Sequence, residues 1–453
     1  MDYAQAVAYL TGREPLGIKF GLENIRGLAE ALGHPERSFR SLLIAGTNGK
    51  GSTAAILESI LRAAGHRTGR YTSPHLVRIE ERMTARGSAI TPKELASVVA
   101  EVKAISIRLR KEEKLLTEPT FFEVTTACAF EFFRRRGVEV AVLEVGMGGR
   151  WDATNIVPAS LTAITNIGFD HERFLGWSLA AIAAEKAATI KTGRPVVTGF
   201  VEPEPRAVIR AEAARLGSPL FETPKEVRVR AKEKEGGQQV CLETPEAWYE
   251  EIFLPLPGAH QLENLAVAVR AAELVRRVGV GVSEQAVISG VVSTVWEARL
   301  ETVPGDSGEP DLLIDAGHNP LAARALSRYL EAHPSRQRVL LFGIMKDKRA
   351  EEVLRHLLPH VRATVVTRPP IWRAKDPEPM ARWAASKGFR VEVVEPTGRA
   401  LVRARRLAGE SGQVLVAGSI FLAGEVKRLL REESRLANGV FSAPSGKGPG
   451  SSA

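Results

Sequence analysis

Gly46-Thr47-Asn48-Gly49-Lys50-Gly51-Ser52-Thr53 decides the reading of this chain. An apolar run, Leu42 to Ala45, precedes it. Ile56, Leu57, Ile60 and Leu61 follow at helical spacing. A strand, a glycine-rich turn, a lysine and a hydroxyl residue opening a helix form the layout of a phosphate-binding loop. The glycines Gly46, Gly49 and Gly51 let backbone N–H groups turn inward around a triphosphate. The helix start adds the positive end of its dipole. Lys50 is placed to reach the outer phosphates, and Ser52 or Thr53 to hold a metal ion. Gly51 separates Lys50 from Ser52, a departure from the common spacing.

Outward from that loop, residues 1–290 alternate between strand and helix patterns. Leu22, Ile25, Leu28 and Leu32 form one amphipathic stripe. Thr91-Pro92-Lys93-Glu94 and Thr120-Phe121-Phe122-Glu123 read as capped helix starts, and Gly137 as the end of the second helix. Val138 to Val145 is nearly all apolar, the mark of a strand buried on both faces. Ala163 to Ile167 reads as another strand and Ile182 to Ile190 as a helix. Glu226–Lys234 and Gln238–Glu243 alternate around Gly236-Gly237 as a hairpin.

The turn-rich stretch 303–310 lies near a boundary. Beyond it the alternation restarts, with strands near 311–315, 338–344, 361–367, 390–395 and 413–418. The expectation is an α/β protein with two domains. A large ATP-binding domain, 1–295, carries a mainly parallel sheet, and a smaller Rossmann-like domain spans 296–437. The Gly/Ser/Pro-rich stretch 438–453 is expected to be a disordered tail.

The 453 residues exceed one typical domain. Lys and Arg number 62 against 53 Asp and Glu, a formal charge of +9. The basic residues are scattered rather than striped with aromatics, which argues against nucleic acid and for anionic small substrates. Arg134-Arg135-Arg136 meets a helix C-terminus, where cations are favourable. No stretch approaches the roughly 20 apolar residues of a membrane span. Met1 to Ala8 lacks the pattern of a signal peptide. Cys128 and Cys241 are the only cysteines. These features lead to the expectation of a cytoplasmic protein, monomeric, with no membrane partner.

A phosphate loop calls for a metal site. Glu144 ends the buried strand, where ligands of open parallel sheets collect. A carboxylate there is costly without a cation or partner. Asp170-His171 follows the next strand. From its own surroundings, Lys186 reads as a solvated helix residue. Asp315-Ala316-Gly317-His318-Asn319-Pro320 closes a strand and opens a helix in the second domain. Asp315 and His318 are placed to face the first domain across a cleft. Asn319 is placed to cap the helix and Pro320 to begin it.

In this order the motifs resemble the folylpolyglutamate synthases of the Mur ligase superfamily, including the dihydrofolate synthase/folylpolyglutamate synthase type. The resemblance runs from about residue 16 to 430. It rests on Gly46–Thr53, Tyr71–Leu76, Glu81-Arg82, Phe121–Glu123, Glu144–Asn155, Asp170-His171, Glu185-Lys186, Pro257–Asn264, Asp315–Pro320, Asp347-Lys348 and Gly418-Ser419. It implies ATP-dependent addition of L-glutamate to a folate or to dihydropteroate through an acyl phosphate. It also implies two Mg²⁺ ions, with Ser73, Glu144 and His171 as ligands, and a carbamylated Lys186. Asn264 is implied on the adenine side. Arg299, Asp315 and His318 would be brought to the nucleotide by the small domain or its linker. Thr47 and Asn48 belong to the loop that wraps the phosphates.

Two departures stand out. Glu297-Ala298 replaces the family's usual Pro-Gly before Arg299, and Ala316-Gly317 replaces its Gly-Ala. Two rivals remain at this point, a Mur-type cell-wall ligase acting on a UDP-linked substrate and a non-ligase nucleotide switch. The string Tyr71–Leu76 and the inserted Gly51 favour the folate branch. A switch would need neither Glu144/His171 nor Asp315/His318.

Overall fold

The computed structural model describes residues 1–437 except Ile18, Leu116, Ser307 and Arg336. The expected tail, 438–453, lies outside the described residues. Eight strands build the first sheet: β1 (Arg40–Ala45), β2 (Thr68–Tyr71), β3 (Met83–Ala85), β4 (Ser88–Ala89), β5 (Val140–Glu144), β6 (Leu161–Ile164), β7 (Val196–Thr198) and β8 (Leu220–Glu222). Their order is β4-β3-β2-β5-β1-β6-β7-β8. The pairs from β2 through β8 are parallel, and β3 and β4 add an antiparallel edge. The expected hairpin appears as β9 (Arg228–Lys234) and β10 (Gly237–Glu243), extended by β11 (Trp248–Leu254) into a separate antiparallel sheet.

β1 sits between β5 and β6, and Leu42–Ala45 on it are buried and apolar, as on a strand covered on both faces. The helix Lys50–Ala63 that leaves it is buried from Gly51 to Leu61. It packs against the helices Ala259–Leu274 and Glu284–Val292. Ile56, Leu57, Ile60 and Leu61 are fully buried, each contributing about 1.5–3 kcal/mol relative to exposure. The phosphate-binding turn is thus mounted on a central strand and a largely buried helix of the large domain.

Both expected capping boxes are present. Thr91 and Glu94 exchange bonds with each other's backbone, as do Thr120 and Glu123. Arg134, Arg135 and Arg136 end the second of these helices and pair with Glu131, Glu101 and Glu94.

Two departures from the expected boundaries bear on the site. β6 ends at Ile164; the backbones of Thr165 and Asn166 still bond Ala45 and Thr47, while their side chains bond Asn48 of the phosphate loop. The helix expected at 182–190 runs from Leu179 to Ala187. Ser178 caps its start and the Thr189 hydroxyl turns back onto the Lys186 carbonyl.

The second large sheet is built from β12 (Glu301–Val303), β13 (Asp311–Ile314), β14 (Arg338–Phe342), β15 (Ala363–Val366), β16 (Val391–Val393) and β17 (Gln413–Ala417). Its order is β12-β13-β17-β14-β15-β16, parallel except for β12. Helices cover both faces, giving two apolar clusters. This is the smaller doubly wound unit expected from the restarted alternation.

Candidate active site

The phosphate loop is held from below by residues just past β6. Asn48 N–H donates to Asn166 Oδ1 at 2.9 Å, and Thr165 Oγ1 donates to the Asn48 carbonyl at 2.6 Å. The Thr47 hydroxyl donates to the Gly168 carbonyl at 3.1 Å and accepts from its N–H at 3.0 Å. Gly49 begins the helix with φ at 81°, a left-handed conformation that favours glycine. A Cβ there would also collide with the Asn264 carboxamide. Lys50 Nζ arches back over the turn and donates to the carbonyls of Gly46 (3.1 Å) and Thr47 (2.9 Å).

Ser52 Oγ and Thr53 Oγ1 are buried without a hydrogen-bond partner. Orphaned buried hydroxyls are unfavourable unless a ligand completes them. Two of them in the first turn of this helix fit a metal-bound phosphate.

Lys186 corrects the solvated reading. It is 4% exposed, and its Nζ donates to the Gly46 carbonyl at 2.9 Å. Burial, helped by the positive charge of Lys50, lowers its pKa to about 7. Neutral pH therefore finds a large share of this amine unprotonated.

Glu144 closes β5 at 5% exposure, and its Oε2 accepts the Ser73 N–H at 3.0 Å. Burial raises its pKa against the opposing pull of Lys50, Arg299 and Arg82. The structure thus brings Ser73 and Glu144 together beside Lys50. Arg82 is buried, lies over the Phe121 ring and donates from Nε to His75 Nδ1 at 2.9 Å. Burial and the Arg82 charge drive the His75 pKa down to about 3, so this imidazole is neutral.

His171 stands in a second cluster, at the cleft between the domains. Its Nδ1 is 3.7 Å from Asp347 and its Nε2 is 3.3 Å from Lys348 Nζ. Lys348 Nζ also lies 2.5 Å from Asp170 Oδ1. Asn319 Nδ2 donates to Asp170 Oδ2 at 3.1 Å and to Asn48 Oδ1 at 2.8 Å, while Asn48 Nδ2 donates back at 3.0 Å. Asn319 also caps its helix through the Ala322 N–H, with Pro320 at the first position. The capping and site readings of this stretch both hold. Among the described residues no three His, Cys, Asp or Glu side chains form a ready-made metal cage.

His318 Nδ1 is 3.1 Å from the Ala316 carbonyl, which fixes the proton on Nδ1. Its Nε2 is 3.7 Å from Asp170. Asp315 is buried and accepts N–H bonds from Gly317 (2.8 Å) and Leu300 (3.2 Å). Arg299 lies within electrostatic reach of Glu144 and His260, and donates to the Ala298 carbonyl. Asn264 donates to Gln261 Oε1 at 2.9 Å.

Several neighbours of these groups had no assigned role in the sequence reading: Thr165, Asn166, Asp170, Trp296 and Lys348; Asn319 was read only as a helix cap. Asp170 and Lys348 lay within quoted motifs, but their pairing across 178 residues leaves no trace in local spacing.

Residues 44–272 match the Mur ligase middle domain family, and residues 298–420 match the Mur ligase, glutamate ligase domain family. A Bacillus subtilis dihydrofolate synthase/folylpolyglutamate synthase is 37% identical over 360 residues, covering 78% of this chain and 82% of that protein. The Mycobacterium tuberculosis protein of the same name is 34% identical over 442 residues, covering 90% and 89%. The fold matches M. tuberculosis folylpolyglutamate synthase complexed with ADP and AMPPCP, at a TM-score of 0.86 and 33% identity. That match covers 94% of this chain and 98% of the other. E. coli FolC in complex with DHPP and ADP aligns at a TM-score of 0.84 and 30% identity, covering 96% and 99%. The chain belongs to the folylpolyglutamate synthase and dihydrofolate synthase family of the Mur ligase superfamily.

Proposed function

We propose that this protein is an ATP-dependent ligase that joins L-glutamate to a folate, and to dihydropteroate, by an amide bond. One observation carries the reading. A phosphate loop with two orphaned hydroxyls is tied through Asn48 and Asp170 to Asn319 and Lys348 of a second α/β unit. A nucleotide switch has no need of that second wall.

A carboxylate is a poor acyl donor because its leaving group would be oxide. Its oxygen takes the γ-phosphoryl group of ATP, releasing ADP and giving an acyl phosphate. The glutamate amine then attacks the acyl carbon, a proton is lost, and phosphate leaves. Positioning and charge neutralisation dominate the first step. Lys50 offsets charge on the phosphoryl group. Asn264 takes the adenine side, and Arg299, Asp315 and His318 complete the nucleotide site from residues 296–437. Residues 1–295 form the ATP-binding domain in this reading. Closure of the two units keeps water from the acyl phosphate.

The donors fit Mg²⁺, which prefers oxygen. Ser73 and Glu144 would hold one ion, with Ser52 or Thr53 near the phosphates, and His171 would serve a second. Bound Mg²⁺ supplies Lewis-acid stabilisation of phosphoryl charge. The lowered pKa of Lys186 supports carbamylation. Its neutral amine adds to CO₂, loses a proton and becomes an anion beside the metal ligands.

The reading includes a monomer acting in the cytoplasm on small molecules. Both cysteines are free, and no described helix is long and apolar enough to cross a membrane.

The test offers purified protein MgATP and labelled glutamate with tetrahydrofolate, dihydropteroate or a UDP-muramoyl substrate in parallel. Label in the folate product is the expected result. Label only in the UDP-linked product, or ATP turnover with no ligation, overturns the proposal.

A further inference from the structure

The segment 296–301 joins the two units and carries Arg299. Its first residue is fastened to the large domain. Trp296 packs on the phosphate-loop helix so closely that a Cβ on Gly51 would lie 2.6 Å from the indole ring. The Arg70 guanidinium covers the same ring at 5.0 Å.

From the next residue onward the polar partners change sides. Glu297 pairs with Lys427 (3.1 Å) and Arg431 (3.0 Å) on the helix Ile420–Ala437. Lys427 also pairs with Glu301, and the other Glu301 oxygen accepts the Ala298 N–H at 2.8 Å. The Ala298 carbonyl accepts from Ala316 N–H at 3.0 Å. Leu300 N–H reaches Asp315.

The backbone between these anchors is unusual. Ala298 has φ of 55° and Leu300 of 50°. Residues with side chains rarely adopt such angles, and they persist where the surroundings over-determine them. Here Glu297-Ala298 stands where the family resemblance leads one to expect Pro-Gly. A glycine would take φ of 55° freely, and a proline would stiffen the preceding residue. This chain has neither. It has instead two carboxylates flanking an amine whose side chain is 11% exposed, a geometry screened by salt less than an open surface pair.

We propose that Glu297, Glu301, Lys427 and Arg431 act as a positioning cluster that fixes the strained Arg299 segment to the smaller domain. Arg299 then enters and leaves the nucleotide site with that domain, pivoting between Trp296 and Glu297. The inference rests on the nucleotide-binding part of the proposed function.

The test compares the parent with Lys427→Met and with Lys427→Met carrying Glu297→Pro and Ala298→Gly. Calorimetric affinity for a non-hydrolysable ATP analogue, kcat and KM for MgATP, and Tm are measured for each. Lys427→Met is expected to lower kcat/KM for MgATP and analogue affinity about tenfold through a misplaced Arg299. The Pro-Gly pair is expected to restore both while Tm stays low. A merely structural cluster would move Tm alone. Parent-like affinity and kcat/KM in Lys427→Met, or no rescue by Pro-Gly, overturns the proposal. Analogue affinity reads the cluster apart from ligation. A parent that binds the analogue but joins no glutamate to folate refutes the functional reading and leaves this test intact.

Discussion

Lys348 Nζ lies 2.5 Å from Asp170 Oδ1, so one ion pair spans the cleft between the two α/β units. Its side chains are 7% and 11% exposed. Burial alone would raise the Asp170 pKa, but His318, His171 and Lys348 outweigh it and hold this carboxyl well below the usual carboxylate range. Asp170→Asn leaves the buried Lys348 ammonium with only the half-exposed Asp347 carboxylate, 3.4 Å away, as counter-charge. Breaking such a pair is expected to lower the unfolding free energy by about 3 kcal/mol. Paired with Lys348→Met, the double-mutant cycle should show about 1–3 kcal/mol of coupling in urea titrations. Additive effects would mean that the two loops do not share this bond in solution.

Lys186 gives a pH prediction with a defined sign. Its folded pKa is about 7, below the ordinary 10.5, with burial the main cause and Lys50 the next. Between these values the unfolded chain binds more protons, so stability rises with pH across that window. Relative to Lys186→Met, the parent should gain stability from about pH 7 to 10.5, at up to roughly 1.4 kcal/mol per unit. The same neutral amine should take up labelled CO₂ more readily as pH rises through 7. Lys186→Ala should lose ligation and be partly restored by a short carboxylic acid in solution. Full activity of that variant in bicarbonate-free buffer refutes the carbamate.

The contrast between Lys186 and Lys50 shows what was legible in the sequence. Lys50 follows a strand and two loop glycines, so local pattern alone assigns its place. Lys186 sits in an Ala-rich run, and nothing nearby signals that the facing surface is Gly46, 140 residues away. The same distinction runs through the fold. The capping boxes at Thr91 and Thr120 and the two strand alternations are local and were readable. The bonds from the Thr165 and Asn166 side chains to Asn48 were not, because they join segments more than 100 residues apart. The pairing of Asn319 with Asn48 and of Lys348 with Asp170 depends on how two separate sheets dock. The residue reading had placed Asp315 and His318 at that cleft, and only the family resemblance pointed toward Asp347-Lys348.

Lys50 bonds only to carbonyls of its own turn, so its removal should leave packing intact. Lys50→Ala is expected to keep the unfolding free energy within roughly 0.5 kcal/mol of the parent's. Ligation should fall at least a hundredfold, as when one stabilising donor is lost from a charge-developing site. Near-parent turnover at saturating MgATP would remove the phosphate-loop assignment.

Glu144 separates stability from function in the opposite direction. Its folded pKa is raised, chiefly by burial, so the folded state favours the protonated carboxyl. Below the ordinary carboxylate pKa both states are protonated and nothing is lost. As pH rises through the raised value the buried charge opposes folding. Gln keeps the shape and an oxygen to accept the Ser73 N–H without carrying that charge. Glu144→Gln should therefore stabilise the metal-free protein, and by more at neutral pH than in acid. Ligation should fall sharply, and its Mg²⁺ requirement should rise, because a carboxamide is a weaker ligand for a hard cation. Chemical denaturation at two pH values and a Mg²⁺ titration of activity measure the two effects. A variant that is destabilised at neutral pH yet titrates with Mg²⁺ like the parent would show that Glu144 serves the fold and not the metal.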